Sequence, residues 1–219
     1  MQWYYFYTPD YSEWHAHFQE VLGTHFALRP ILLPKLDIHD QHPVHHFTGS
    51  TTKLKLVVEA VRANLGRRIV FSDVTWYFSA SKIGELASLL ETCGPLCFAQ
   101  NEDGRDLNIG LFVLDCTQAA LALWTEALRR VTEDANLHDQ TAVESLSVGH
   151  TLFAPDRVVA RWPNKRNPHS ETFLALKIFT PSSEPKSVRD SFRRHAMARY
   201  GHTLPPDPIA AGYLGALSP

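Results

Sequence analysis

A carboxylate follows an apolar run in the first half of the sequence, where it could bind a metal ion. The run from Ile69 to Phe71 ends in Ser72 and Asp73, a pattern typical of a buried strand that ends in a small polar residue and an acid. In α/β proteins, ligands bind beyond the carboxyl ends of the strands. A carboxylate there can hold a divalent cation, and the cation can hold a diphosphate. We therefore expect Asp73 to border a binding crevice.

Other polar signatures lie where predicted strands or helices begin or end. In chain order, the full set is Ser72-Asp73-Val74-Thr75, Asn108-Ile109-Gly110, His138-Asp139-Gln140 and Asn167-Pro168-His169. Each signature alone is weak evidence, because such residues also cap helices and make turns. Their order and spacing carry the information.

In that order and spacing, the chain resembles the nucleotide-diphospho-sugar transferases of the GT-A fold over roughly residues 1–180. It is most similar to the group with an "FSD-x-D" strand end, an "N-x-G" strand and a "DQ" helix start. The resemblance implies an α/β fold, a GT-A-like (Rossmann-like) three-layer sandwich around a mostly parallel sheet. It also implies a glycosyltransferase that moves a sugar from a nucleotide-diphosphate donor, a UDP-sugar, to an acceptor that the sequence does not name.

The resemblance implies a metal ion, Mn²⁺ or Mg²⁺, that neutralises the donor diphosphate. Asp73 matches the first acid of the Asp-x-Asp motif, and His169 matches a further metal ligand of this fold. Thr75 stands where the second acid is expected, so the motif is degenerate. A hydroxyl group is a weaker, neutral ligand, and we expect metal affinity to drop unless another group compensates.

The resemblance also implies contacts with the donor. Thr8 and Tyr11 follow the first predicted strand and would lie near the base or ribose, and Ser72 would contact the donor beside the metal. Asn108 and Gly110 would face the sugar or the acceptor, since glycine allows close approach of the backbone.

The resemblance also implies the remaining roles, and the charges that glycosyl transfer creates give the chemical reason for them. Positive charge develops at the sugar carbon and negative charge on the leaving diphosphate, which a cation or a lysine can offset. Lys53 or Lys55, and Lys177, could contact the phosphate oxygens. Asp139 and Gln140 would lie at the reacting sugar, where a carboxylate can stabilise the positive charge or orient the sugar. Families with such a "DQ" element are often retaining hexosyltransferases.

Two other functions stay open. Thr75 in place of an acid favours a transferase-like protein that binds a nucleotide or sugar but has lost catalysis. A phosphatase of the haloacid-dehalogenase type also has a strand that ends in Asp-x-Thr, but its chemistry needs a second acid that this chain lacks at that position. A purely structural role is the alternative for each acid, with Asp73 or Asp139 capping a helix.

Hydrophobic periodicity predicts the elements that must position these residues. The predicted strands cover residues 3–7, 28–33, 69–73, 96–99 and 108–114, with one or two more within 152–162. The predicted helices cover residues 11–22, 51–65, 81–92, 121–131, 139–146 and 187–200. Strands that alternate with helices favour an α/β sandwich. We expect a catalytic domain over residues 1–180, with residues 181–219 forming a helix and a Pro/Gly-rich tail packed on it.

A histidine-rich stretch, Leu36 to Ser50, precedes the second predicted helix, which Thr51 or Thr52 could cap. The histidine spacing fits no compact zinc pattern, and Pro43 is expected to keep the stretch extended. We therefore expect a polar loop that borders the cleft.

Bulk composition excludes several classes of protein. The 219 residues are 44% hydrophobic and 20% charged, which is typical of a globular domain. The formal net charge of −2 disfavours a nucleic-acid reader, which would show a basic face. No apolar run is long enough for a membrane span, and the N-terminal residues do not resemble a signal peptide. Three cysteines are too few for a disulfide framework, so we expect a cytoplasmic, reduced protein.

Overall fold

The computed structural model describes residues 1–33, 43–101, 106–161 and 173–178. The predictions made for His169, for the helix at residues 187–200 and for the tail lie outside these residues. Among the described helices, none is both long enough and apolar enough to cross a membrane.

Strands and helices alternate through most of the chain. The strands are β1 (Gln2–Tyr7), β2 (Ala27–Leu32), β3 (Arg68–Asp73), β4 (Trp76–Phe78), β5 (Leu96–Asn101), β6 (Leu107–Asp115), β7 (Thr151–Leu152), β8 (Val158–Arg161) and β9 (Ala175–Ile178). The α-helices are α1 (Ser12–Leu22), α2 (Pro43–Ala63), α3 (Ile83–Thr92), α4 (Gln118–Glu133) and α5 (Asp139–Leu146). Short 3₁₀ turns, Pro9–Tyr11 and Ala80–Lys82, lead into α1 and α3.

All described strands belong to a single mixed sheet, in the order β2-β1-β3-β6-β5-β8-β9-β4, with β7 paired to β5. The pairs β1–β2, β1–β3, β5–β7, β5–β8 and β8–β9 are parallel. The pairs β3–β6, β5–β6 and β4–β9 are antiparallel. The prediction of an α/β fold with a mostly parallel sheet is therefore confirmed.

Helices cover both faces of the sheet, because successive side chains of each strand point to opposite faces. On β3, Val70 packs in the core that contains residues of α1 and α3. Ile69 and Phe71 pack in a second core with residues of α2, α4 and α5, among them Trp124. The two cores make the three layers that the sequence predicts.

The sheet must curl, because a turn of two residues links strands that are far apart in its order. Val74 and Thr75 alone separate β3 from β4, yet these strands are five places apart. In a flat sheet, five strand spacings would separate them by about 24 Å. Three Cα–Cα steps, from Asp73 to Trp76, span at most about 11 Å. The closure brings β9, which pairs with β4, back towards the end of β3.

The structure corrects the prediction for the histidine-rich stretch. Helix α2 begins at Pro43, so His45 and His46 belong to a helix and not to a loop. Proline is favoured in the first turn of a helix, where its missing N–H group costs nothing. Thr51 is buried inside the helix and does not cap it. Residues 36–42 lie outside the described residues.

Two strands were not predicted, β4 and β9. Each has only three or four residues, and each is buried on both faces, so neither shows the alternation that marks a half-buried strand. The register pairs Trp76 with Lys177. This pairing determines where Lys177 lies.

Ser72 lies in the core and not at the open edge of the sheet. Its Oγ accepts a hydrogen bond from the indole Nε1 of Trp3 at 2.9 Å, and both side chains are fully buried. Trp3 is held by edge-on contacts with Phe26 and Phe78, at ring-centroid distances of 4.9 and 5.1 Å. The predicted contact between Ser72 and a donor is therefore not favoured by its position.

We expect Ser72→Ala to lower the free energy of unfolding by about 1–3 kcal/mol, because it leaves the buried Trp3 N–H group without an acceptor. Urea unfolding measures this change. The exposed Ser88 in α3 offers a matched control, and Ser88→Ala should stay within about 0.5 kcal/mol of the parent protein. Equal effects of the two substitutions would contradict the structural role of Ser72.

Candidate functional site

Two lysines hold the carboxylate of Asp73 at the end of β3. Lys53 Nζ, from α2, donates to Asp73 Oδ1 at 2.9 Å, and Lys177 Nζ, from β9, donates to Oδ2 at 2.6 Å. The exposed fraction of the side chain is 22% for Asp73, 8% for Lys53 and 16% for Lys177. These three residues, the Lys–Asp–Lys cluster, carry two positive charges and one negative charge in a half-buried setting.

Opposing effects act on the pKa of Asp73. Burial raises it, since a low dielectric disfavours the charged carboxylate. The charges of Lys177 and Lys53, and their hydrogen bonds, outweigh burial and lower the pKa to about 2. Asp73 is therefore ionised through the neutral pH range, and the cluster keeps a net charge of +1.

Gly110 lies against the cluster on the neighbouring strand. In the register of β3 and β6, Ser72 pairs with Leu111, so Gly110 lies beside Asp73. A Cβ atom at position 110 would lie 2.9 Å from Asp73 Oδ2, 2.9 Å from Lys177 Nζ and 2.6 Å from Asn108 Oδ1. Only glycine leaves room for these polar groups of the protein itself, and the contact of Gly110 with the sugar or the acceptor stays a prediction.

Asn108 is buried, and its side chain links β5 to β6 by hydrogen bonds. Its Oδ1 accepts from the Gly110 N–H group at 2.8 Å, and its Nδ2 donates to Asn101 Oδ1 at 2.9 Å. A register shift in β5, between Phe98 and Ala99, accompanies this contact. Asn108 therefore acts on the cluster through Gly110, because it holds the backbone of β6 in place beside the cluster.

The topology directs Asp139 and Gln140 towards the same edge of the sheet. Strand β6 runs away from Asp73, α4 returns along the sheet, and α5 starts after a short loop and contacts β6 and α2. Asp139 Oδ1 accepts a hydrogen bond from Gln140 N–H at 2.9 Å. Within the described residues, no hydrogen bond joins Asp139 to the Lys–Asp–Lys cluster.

Thr8 and Tyr11 also follow a strand end at this edge. Strand β1 is parallel to β3, with Phe6 opposite Asp73, so the loop after Tyr7 leaves the sheet beside the cluster. The Tyr11 N–H group donates to the Thr8 carbonyl at 2.8 Å and closes the 3₁₀ turn. The structure thus places both predicted residues on the loop at the carboxyl end of β1.

An aromatic and histidine group beside this loop was not predicted. His15 stacks on Tyr7, with ring centroids 4.2 Å apart and planes 5° apart. Its Nδ1 bonds to Tyr5 Oη at 2.9 Å, and Gln19 Nε2 donates to the same oxygen at 3.0 Å. Burial lowers the pKa of His15, which favours the neutral imidazole. Two sequence patterns could have predicted this group. Tyr5 and Tyr7 alternate along β1 and so share one face of the strand, and His15 and Gln19 are four residues apart and so share one face of α1.

The described residues do not fit a divalent cation at Asp73. Both carboxylate oxygens already accept bonds from lysine ammonium groups, so a cation would have to displace them. Thr75, in the turn after β3, is buried and neutral. No group of three His, Cys, Asp or Glu side chains suited to a metal ion occurs in the described part of the chain, and His169 lies outside it. The predicted Mn²⁺ or Mg²⁺ site thus stays a prediction.

Comparison with known proteins shows a likeness in fold. No family model matches the chain, and no curated protein matches it. A crystal structure of a glycosyltransferase involved in glycosylation of the major capsid of PBCV-1 matches with a TM-score of 0.62 and 12% identity, over 90% of this chain and 98% of that chain. The glycosyltransferase GlyE of Streptococcus pneumoniae TIGR4 matches with a TM-score of 0.56 and 9% identity, over 98% of this chain. This chain spans 63% of the length of GlyE. The chain therefore has a fold found in glycosyltransferase structures.

We expect Gly110→Ala to lower the free energy of unfolding by about 1–3 kcal/mol, because the added methyl group forces the cluster apart. Thermal unfolding measures the change. Gly84 in α3 has nothing within 4 Å of an added Cβ, so Gly84→Ala is the matched control. It should stabilise the protein by about 0.5–1 kcal/mol through higher helix propensity. A stabilising effect of Gly110→Ala would contradict the crowded geometry.

The low pKa of Asp73 predicts a dependence of stability on pH. A carboxyl group whose pKa is lower in the folded than in the unfolded protein stabilises the fold above its unfolded pKa, and this contribution is lost as the pH falls towards 2. The size of this contribution is about 2 kcal/mol. Urea unfolding should therefore show that the parent protein has a higher free energy of unfolding than Asp73→Asn. We expect this difference to be largest above pH 4 and to decrease between pH 4 and pH 2. A constant difference would contradict the ion pairs.

Proposed function

We propose that the protein is a glycosyltransferase that moves a sugar from a nucleotide-diphosphate donor, a UDP-sugar, to an acceptor. The observation that carries the proposal is the cationic Lys–Asp–Lys cluster at the carboxyl end of β3. In α/β sheets this edge is where ligands bind, and the likeness in fold to solved glycosyltransferases supports the same use here.

In this proposal, the nucleotide binds at the loop after β1. Thr8 and Tyr11 contact the base or ribose, and the stacked pair Tyr7 and His15 provides a flat neighbour for an aromatic base. The diphosphate then extends from the end of β1 to the end of the adjacent β3, where the cluster offers positive charge.

The sugar would lie between the cluster and the start of α5. Asp139 carries the carboxylate that offsets positive charge at the sugar carbon or orients the sugar, and Gln140 supplies an amide for its hydroxyl groups. Asn108 and Gly110 would face the sugar or the acceptor from β6, with Asn108 holding the Gly110 backbone. The leaving diphosphate gains negative charge as the bond breaks, and the cluster stabilises that charge most in the transition state. We propose a hexosyl group and a retaining outcome, as the resemblance implies.

A second function has its own support. A protein that binds a nucleotide-sugar without transferring the sugar would retain the cluster and still tolerate Thr75 in place of a second acid. Calorimetric titration with UDP tests binding in both cases, and turnover of UDP-sugars separates a catalyst from a binding protein.

We expect Asp139→Asn to lower the rate of donor turnover by about 10²-fold or more while the Kd for UDP changes by less than about threefold. Release of UDP from a panel of UDP-sugars measures the rate, and calorimetry measures the Kd. Asp134, an exposed acid five residues earlier, gives the matched control, because Asp134→Asn removes the same charge outside the proposed site. Turnover that is unchanged in Asp139→Asn would remove this residue from the mechanism.

A further inference from the structure

We infer that Lys53 and Lys177 replace the divalent cation in this protein: they bind the diphosphate of the donor directly, and Asp73 is the positioning residue that holds their ammonium groups. The inference rests on the proposed function, since it concerns the same diphosphate. It replaces the metal-binding role predicted for Asp73 with a role in holding two cationic side chains.

The first argument is the occupancy of Asp73. Each of its two oxygens accepts a hydrogen bond from a different ammonium group, at 2.9 Å and 2.6 Å. A dication at this carboxylate would lie close to two positive charges that the fold brings there from α2 and β9. Like charges at such a distance disfavour each other, so the lysines and the cation compete for one position.

The second argument is the unused hydrogen-bonding capacity of Lys53. An ammonium group has three N–H donors, and one of them is bonded to Asp73. The side chain is only 8% exposed, and its bond to Asp73 is its one polar contact within the described part of the chain. A buried ammonium group with spare donors is costly unless an acceptor arrives. Phosphate oxygens are such acceptors.

The third argument is the net charge of the cluster. Two ammonium groups and one carboxylate leave a charge of +1, whereas the Asp-x-Asp motif is anionic without its metal. A cluster with a net positive charge suits an anion such as a diphosphate.

The test measures the affinities for UDP and for uridine by calorimetry, in excess EDTA and in Mn²⁺. The parent protein should bind UDP in EDTA, more tightly than uridine, and Mn²⁺ should change the Kd for UDP by less than about threefold. Lys53→Met and Lys177→Met should each weaken UDP binding by about 10-fold or more, the range for a lost charged hydrogen bond. Their affinity for uridine should stay within about twofold of the parent value, because uridine has no phosphate for the lysines to bind.

Two further variants sharpen the test. Lys55 is exposed on α2, two residues from Lys53, so Lys55→Met removes an equal charge and should leave both affinities unchanged. Asp73→Asn should keep the preference for UDP over uridine in EDTA, because the lysine charges remain, although the less well-held ammonium groups weaken it. If Asp73 were a metal ligand, the preference would require Mn²⁺ and would disappear in Asp73→Asn.

The outcomes separate the inference from the proposed function. Binding of UDP only in Mn²⁺, or equal loss of UDP and uridine binding in the lysine variants, overturns the inference and leaves nucleotide binding intact. Failure of the parent protein to bind UDP in either buffer overturns both. Circular dichroism of each variant shows whether it is folded, and the uridine titration shows whether its nucleoside site is intact.

Discussion

The ion pairs between Asp73 and the two lysines depend on the closure of the sheet. Lys53, on helix α2, precedes Asp73 by 20 residues, and Lys177, on strand β9, follows it by 104 residues. They meet because the two-residue turn at Val74 and Thr75 forces the far edge of the sheet to return to β3. A longer turn would let β4 and β9 move away, and the half-buried carboxylate of Asp73 would then lose Lys177, one of its two cationic partners. The short turn is thus as important to the site as the charged residues themselves.

The local parts of this arrangement could be predicted from sequence. The apolar run that ends at Asp73 gave the position of β3, and the amphipathic pattern around Trp124 gave α4, since both signals are complete within a few residues. Helix α5 begins at Asp139 as expected. The sequence also contains enough information to favour Lys53 over Lys55 as the buried lysine. Lys53 lies on the same face of α2 as Val57 and Ala60, which follow it by four and seven residues, whereas Lys55 is exposed.

The non-local parts could not be predicted. Strand β6 follows β5 in the chain and pairs antiparallel with both β5 and β3, and its own residue pattern does not indicate that it lies between them. The pairing of β4 with β9 brings Lys177 to Asp73, and no periodicity within residues 175–178 contains that information. Ser72 is predicted to contact the donor, yet alternation along β3 sends the side chains of Ser72 and Asp73 to opposite faces of the sheet. Trp3, 69 residues away in the chain, then determines what Ser72 contacts.

Because of the bonds to Asp73, the lysine side chains become ordered when the protein folds and not when a ligand binds. A free lysine has much rotamer freedom, and an anion that had to order two of them would lose part of its binding free energy to that entropy. In this fold Asp73 fixes both ammonium groups before any ligand arrives, so the entropy is lost on folding, where the two large cores compensate for it. The carboxylate weakens the positive potential that a ligand meets, because it cancels one of the two charges. It also holds the remaining charge at the end of β3, and a fixed charge stabilises a transition state without having to reorganise during the reaction. In the proposed transfer reaction, such a cluster would attract an anion less strongly than two free lysines, but it would hold its charge in a fixed place, which favours catalysis of a charge-separating reaction.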